Sequence, residues 1–235
     1  MNNSLSTIFV LPGSETRYVH LEIFKLLKEH HQTIIHLYCN TAQDVQFYTK
    51  YRDLGIIDTI TRVSSLYDYL DAKKLDDEAV FLQASNYEKH YGCTYNHLAV
   101  SDRHLGRGYA LGGFRHPRSR YSESSSYVQV VNAYNEVFKF WEAEFLKWEP
   151  DLFVGGGKII ATISRSHKVP YRFMAGSRYR NLFFWAEDEY FSVDKLSQVF
   201  SKDMEVNIAE IESPYYAHMT NRKRFLKSAG LLGLS

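Results

Sequence analysis

Cysteine is scarce in this chain. Cys39 and Cys93 are the two among 235 residues, a count that excludes a disulfide scaffold and reads as reduced thiols. An excess of one charge is also missing. The formal net charge is +1, whereas a general nucleic-acid binder would be clearly basic. No apolar run approaches the roughly 20 residues that span a bilayer. The opening stretch, MNNSLSTIFVLPGSETRY, lacks a basic leader, and its apolar run stops at Pro12 and Gly13, unlike a secretory signal. These absences predict a cytoplasmic protein with at most peripheral contact with the inner membrane face. Chemical signatures are missing too. There is no CxxC or HExxH spacing for a metal, no GxxxxGK[ST] phosphate loop and no GxSxG nucleophile elbow. The expectation is therefore a protein with no metal and no other cofactor.

What is present is an ordinary globular composition, 45% apolar and 23% charged, in a chain long enough to bury a sizeable core. Aromatic residues reach 15%, with 18 tyrosines. Tyrosine together with arginine often marks surfaces that bind sugars, bases or other proteins. Along the chain, STIFVLPG (6–13) reads as a buried strand. SETRYVHLEIFKLLKEH follows as a helix capped by Ser14, with Val19, Ile23, Leu26, Leu27 and His30 at helical spacing. TIIHLYCN (33–40) is a second strand. TAQDVQFYTKYRDLG is a second helix, capped by Asn40 or Thr41 and stopped by Gly55. IIDTITRV (56–63) and EAVFLQA (78–84) read as a third and a fourth strand. In NYEKHYGCTYNHLAVS, Tyr87, Tyr91, Tyr95 and Leu98 share one helical face.

The strongest helical signal lies further on. Tyr127, Val131, Tyr134, Phe138, Trp141, Phe145 and Trp148 recur by fours and threes and draw one stripe, which reads as core. Serines precede this segment and Pro150 closes it. DLFVGGG then reads as a strand, KIIATISRSHK as a short helix and VPYRFMA as another strand. Strands alternating with helices imply an α/β, Rossmann-like fold, a mostly parallel sheet with helices on both faces. The domain is expected over residues 1–190. Residues 191–235 form a helical extension with a basic amphipathic end, NRKRFLKSAGLLGLS, packing on the same domain.

Ligands of open parallel sheets bind beyond the carboxyl ends of the strands. The loops expected there are PGSE (12–15, with Gly13 and Ser14), CNTAQ (39–43), QASNYE (83–88), GGGK (155–158) and AGSRYRN (175–181). GGGK reads first as a tight strand-to-helix turn. Its alternative is an anion site of glycine amides that includes Lys158. GRGYALG (106–112) has no strand before it and no helix after it, so it fails as a dinucleotide fingerprint.

Residues 102–121, DRHLGRGYALGGFRHPRSRY, carry five arginines and no lysine. A solvated loop paired to surface carboxylates is one reading. An anion-binding lid is the other, because the guanidinium fork matches phosphate or carboxylate in a bidentate way. The lid would use Arg103, His104, Arg107, Arg115, Arg118 and Arg120. Ser177, Arg178, Arg180 and Asn181 would supply a second group at another strand end. Asp102, Glu15 and Glu88 are the acid–base candidates. A salt bridge for Asp102 and a helix-dipole role for Glu15 stand as alternatives. His20, His30 and His36 lie on expected core elements and read as structural.

WEPDLFVGGG, a short helix, KVPYRFMAGSRYRNLFFWAEDEY and the earlier YGCTYNHLAVSDRHL resemble the N-terminal half of bacterial surface and capsular polysaccharide glycosyltransferases of the GT-B kind. The resemblance covers roughly residues 5–190. It implies a cleft enzyme of two Rossmann-like domains. The N-terminal domain binds the acceptor and its partner domain binds a nucleotide-sugar donor, with no metal required. It further implies Asp102 as first choice of base and Glu15 as second. The arginine lid would hold an anionic or lipid-linked glycan acceptor, and a second subunit or domain would supply the donor half. The competing reading is a non-catalytic Rossmann-like module that binds a nucleotide or a partner.

Overall fold

The computed structural model describes residues 5–13, 16–100, 125–177, 183–194 and 198. The chain divides into two compact units, Met1–Arg172 and Phe173–Ser235. In the first unit β1 (Thr7–Leu11) leads through α1 (Arg17–His31) to β2 (Ile34–Cys39). The path continues through α2 (Ala42–Asp53) to β3 (Thr59–Arg62). A 3₁₀ turn (Leu66–Tyr69), α3 (Asp77–Tyr91) and α4 (Tyr95–Val100) come next. After residue 124 the chain forms α5 (Tyr127–Trp148), β4 (Leu152–Gly155), α6 (Lys158–Ser166) and β5 (Tyr171–Gly176). In the second unit the end of β5 pairs antiparallel with β6 (Phe183–Ala186), Met174 opposite Trp185.

The strand order is β3-β2-β1-β4-β5-β6, and the first five strands are parallel neighbours. The sheet is therefore mostly parallel and the fold is α/β and Rossmann-like. Its two faces differ in chemistry because successive strand residues point to opposite sides. Ile8, Val10, Ile35, Leu37 and Cys39 pack with Leu21 and Phe24 of α1 and Tyr48 of α2 in an aliphatic layer. Phe9, Tyr38 and Phe153 turn the other way, against α5. The Phe9 ring lies 5.5 Å from Phe145 and the Tyr38 ring 4.8 Å from Trp141, both edge to face, an arrangement favoured by the ring quadrupoles. Helices thus cover both faces of this unit.

Local chemistry explains most element ends. Ser126 accepts from the Gln129 amide at 3.3 Å, and the Gln129 side chain accepts from the Ser126 amide at 2.6 Å. This reciprocal cap starts α5. Glu149 in the left-handed region ends it just before Pro150. Thr41 caps α2 by accepting from the Asp44 amide. Asp151 accepts from the Ser6 and Thr7 amides at 2.8 and 2.9 Å and so holds the start of β1 beside that of β4.

Four readings of the sequence are corrected. EAVFLQA is not a strand: Asp76 caps this segment through the Ala79 amide, and it runs as the first half of α3. Its buried positions Val80, Ala84, Tyr87 and Tyr91 repeat at helical spacing. Tyr87, Tyr91, Tyr95 and Leu98 are all buried, but on two helices separated by Gly92 in the left-handed region. The residue flanking α1 is Thr16, which makes no side-chain cap; Ser14 lies outside the described residues. The buried stripe of α1 is His20, Leu21 and Phe24, whereas Val19 and Leu26 are 45% and 53% exposed and His30 is exposed. Leu27 of the expected stripe packs against this core and Ile23 is half-buried, so the stripe read from spacing overlaps the side that α1 turns to the sheet only in part.

Candidate functional site

Strand order reverses between β1 and β4, where β2 and β3 extend one way and β5 the other. Connections leaving the carboxyl ends there diverge and leave a crevice. A cavity of about 540 Å³ opens at this point in the first unit. Leu11 follows from β1, Asn40 from β2, Val63 to Tyr67 from the turn after β3, and Gly157 to Ile160 from the start of α6. Leu98 of α4 and Tyr134, Val137 and Trp141 of α5 close the remaining wall.

Two glycines make the crevice possible. Gly155 has φ +88°, and a Cβ there would sit 2.1 Å from the Leu11 carbonyl oxygen. Only a residue without a side chain lets β4 end so close to β1. Gly156 has φ +77°, and its Cβ would fall 2.7 Å from Ile160. The Gly156 amide donates to the Leu11 carbonyl at 3.1 Å and fastens the turn to β1. Gly157 flanks α6 without a side-chain cap and has open space where a Cβ would stand.

The lining is divided by polarity. Val63, Leu66, Leu98, Val137, Trp141 and Ile160 are buried apolar side chains. Asn40 and Ser64 are exposed, and Ser65, Tyr67 and Lys158 are half-buried. Ser65 is held by the Asp68 carboxylate, which accepts from its amide at 2.7 Å and its hydroxyl at 3.0 Å. No carboxylate is among the described lining residues. Cys39, one residue before Asn40, faces the aliphatic layer. Burial pushes its thiol up to about 12, so it is a poor nucleophile at neutral pH. Deeper under α5, the Tyr38 hydroxyl donates to Glu144 at 2.7 Å. Burial first, and that carboxylate second, raise its pKa.

The residues singled out from sequence fall in several places. Lys158 lines the cavity. Gly13 lies just beyond β1 and its carbonyl accepts from the Thr16 amide at 3.3 Å. Glu88 is not at a strand end; it sits in the last turn of α3 and accepts from the Tyr95 amide at 2.6 Å, where it satisfies the start of α4. Ser177 follows β5 in the second unit. Ser14, Glu15, Asp102, Arg103, His104, Arg107, Arg115, Arg118, Arg120, Arg178, Arg180 and Asn181 lie outside the described residues.

The segment VSSLY (63–67) was missed. The rule that led to the other loops points to it, because it follows the third strand directly. The loop expected at 83–88, after a strand at 78–84, lies instead inside α3. Tyr134 and Trp141 are core residues, as their spacing implies, and they also form the wall of a cavity, which their spacing does not reveal. Comparison of the chain with protein-family models, curated proteins and solved structures finds no match.

Proposed function

We propose that this chain is a glycosyltransferase of the GT-B kind, or the acceptor-binding half of one. It transfers a sugar from a nucleotide-sugar donor to an anionic or lipid-linked glycan acceptor in surface polysaccharide synthesis. The observation that carries the reading is the cavity at the reversal of strand order, where folds of this architecture receive small ligands. Of the segments that carry the family resemblance, PDL and VPY lead into β4 and β5, and the glycine turn into α6 reaches the cavity at Gly157. Asp102 acts as base with Glu15 in reserve, and the arginines of residues 102–121 grip the anionic acceptor. A second domain or subunit brings the donor.

Transfer from a panel of nucleotide sugars to lipid-linked acceptors tests the reading, using the chain with the protein that supplies the donor half. Asp102→Asn should cut turnover by two orders of magnitude or more, on the scale of a lost general base of about 10²–10⁴. No transfer with any donor, together with thermal stabilisation of the chain alone by nucleoside diphosphate, would replace the transferase with a nucleotide-binding module.

A further inference from the structure

We infer that the ligand of the switch-point cavity is an anionic amphiphile, an apolar chain ending in a phosphate or carboxylate, with the chain on the cavity floor and the anionic head at the Lys158 rim. The inference rests on the proposed acceptor-binding role of this site and narrows its acceptor. It comes from how polarity is distributed over the lining. The floor is made by Val63, Leu66, Leu98, Val137, Trp141 and Ile160, each at most 9% exposed. A sugar buried there would leave most of its hydroxyls without partners, and each unpaired buried polar group is costly. An apolar chain incurs no such penalty and gains from leaving water.

Most of the polar lining, Asn40, Ser64, Ser65, Tyr67 and Lys158, is not buried, and Tyr134 adds one hydroxyl on a buried side chain. Among the described lining residues Lys158 is the one charged side chain. A negative head at this rim meets the ammonium and the hydroxyls, whereas a cationic or zwitterionic head would bring a like charge to Lys158. Charge complementarity and the apolar floor therefore select the same class of molecule from two ends. About 540 Å³ falls within the usual range of small-molecule sites, roughly 300–1,000 Å³.

Binding to the full chain is measured by calorimetry, below the aggregation threshold of each probe, with farnesyl phosphate, dodecanoate, farnesol, inorganic phosphate and UMP. At least one of the two anionic amphiphiles should bind ten-fold or more tighter than farnesol and than inorganic phosphate, and which one binds identifies the head. Lys158→Ala should weaken it at least ten-fold. A photoreactive analogue of the bound probe should label the floor, at Leu66, Leu98 or Val137, in the unaltered protein, so the result does not depend on a core variant that fails to fold. Equal binding of phosphate alone, preferential binding of UMP, no change in Lys158→Ala, or labelling elsewhere overturns the inference. Sugar transfer to a soluble acceptor without an apolar chain would sink the inference and leave the transferase standing. Tight amphiphile binding with no transfer would do the reverse.

Discussion

The two faces of the sheet solve the same burial problem with different side chains. Under α1 and α2 the layer is aliphatic: Ile8, Val10, Ile35 and Leu37 interlock with Leu21 and Phe24. Under α5 it is aromatic, with Phe9 touching His36, Tyr38, Phe145 and Phe153 at ring separations of 5.0–5.8 Å. The first face is filled largely by branched aliphatic chains around Phe24 and Tyr48. The second face is filled by rings, and where Trp141 and Tyr134 reach the strand ends the layer opens into the cavity. The comparison teaches that the site is the unfilled end of the aromatic layer, held open by the glycine turn that joins β4 to α6.

The largest effect should come from that turn. Gly155→Ala drives a Cβ into the Leu11 carbonyl at a φ that penalises any side chain. It should cost more than about 4 kcal/mol and prevent recovery of folded protein. Gly157→Ala, with open space around the new methyl, should cost under about 1 kcal/mol. Chemical denaturation of the pair would break the argument if both variants were equally stable.

Next come the layers themselves. Phe9→Ala removes the hub of the aromatic face and should lose about 3–5 kcal/mol, whereas Ile8→Val on the aliphatic face should lose about 0.5–1.5 kcal/mol. The sharper readout is the cavity. Phe9→Ala should alter ligand binding at the strand ends, and Ile8→Val should leave it unchanged.

A third contrast is in pH. His20 is buried on α1, and burial alone lowers its pKa from 6.5 to about 4. The folded state then resists protonation that the unfolded chain accepts. Its contribution is complete above the unfolded value of 6.5 and is lost as pH falls from 6.5 toward 4. The loss reaches about 3 kcal/mol at the acid end. His20→Phe should flatten the stability curve through that window. An unchanged slope in denaturation midpoints between pH 7 and 4 would show that His20 is not held neutral.

The smallest effect concerns the polar tie across the aromatic face. Tyr38→Phe deletes the hydroxyl that donates to Glu144 and should cost about 1–2 kcal/mol. It should cost little in the Glu144→Gln background if the pair acts as a unit, which a double-mutant cycle measures.

Much of this architecture was legible because local signals and burial agree. α5 shows it best. A reciprocal Ser126–Gln129 cap opens the helix, an apolar stripe repeats by fours and threes, and Pro150 follows its end. β1 and β2 are short apolar runs that end where polar or turn-forming residues begin. Where the two kinds of signal part company, the sequence misleads. The run AVFL inside α3 has the length of a strand, and only the Asp76 cap and the Val80–Ala84–Tyr87–Tyr91 spacing betray a helix. On α1 apolar residues occupy more than one side, and periodicity cannot say which side the sheet takes.

The sequence by itself determined the alternation of strands and helices, the parallel class of the sheet and the glycine turn after β4. Each follows from spacing, propensity and backbone freedom within a few residues. Tertiary structure alone decided that Val63 to Tyr67, Leu98, Tyr134 and Trp141 share one cavity with Lys158. These residues are scattered over about a hundred positions of the chain and carry no mutual signal. They become neighbours because strand order reverses between β1 and β4, a property of how the strands assemble that no local pattern encodes.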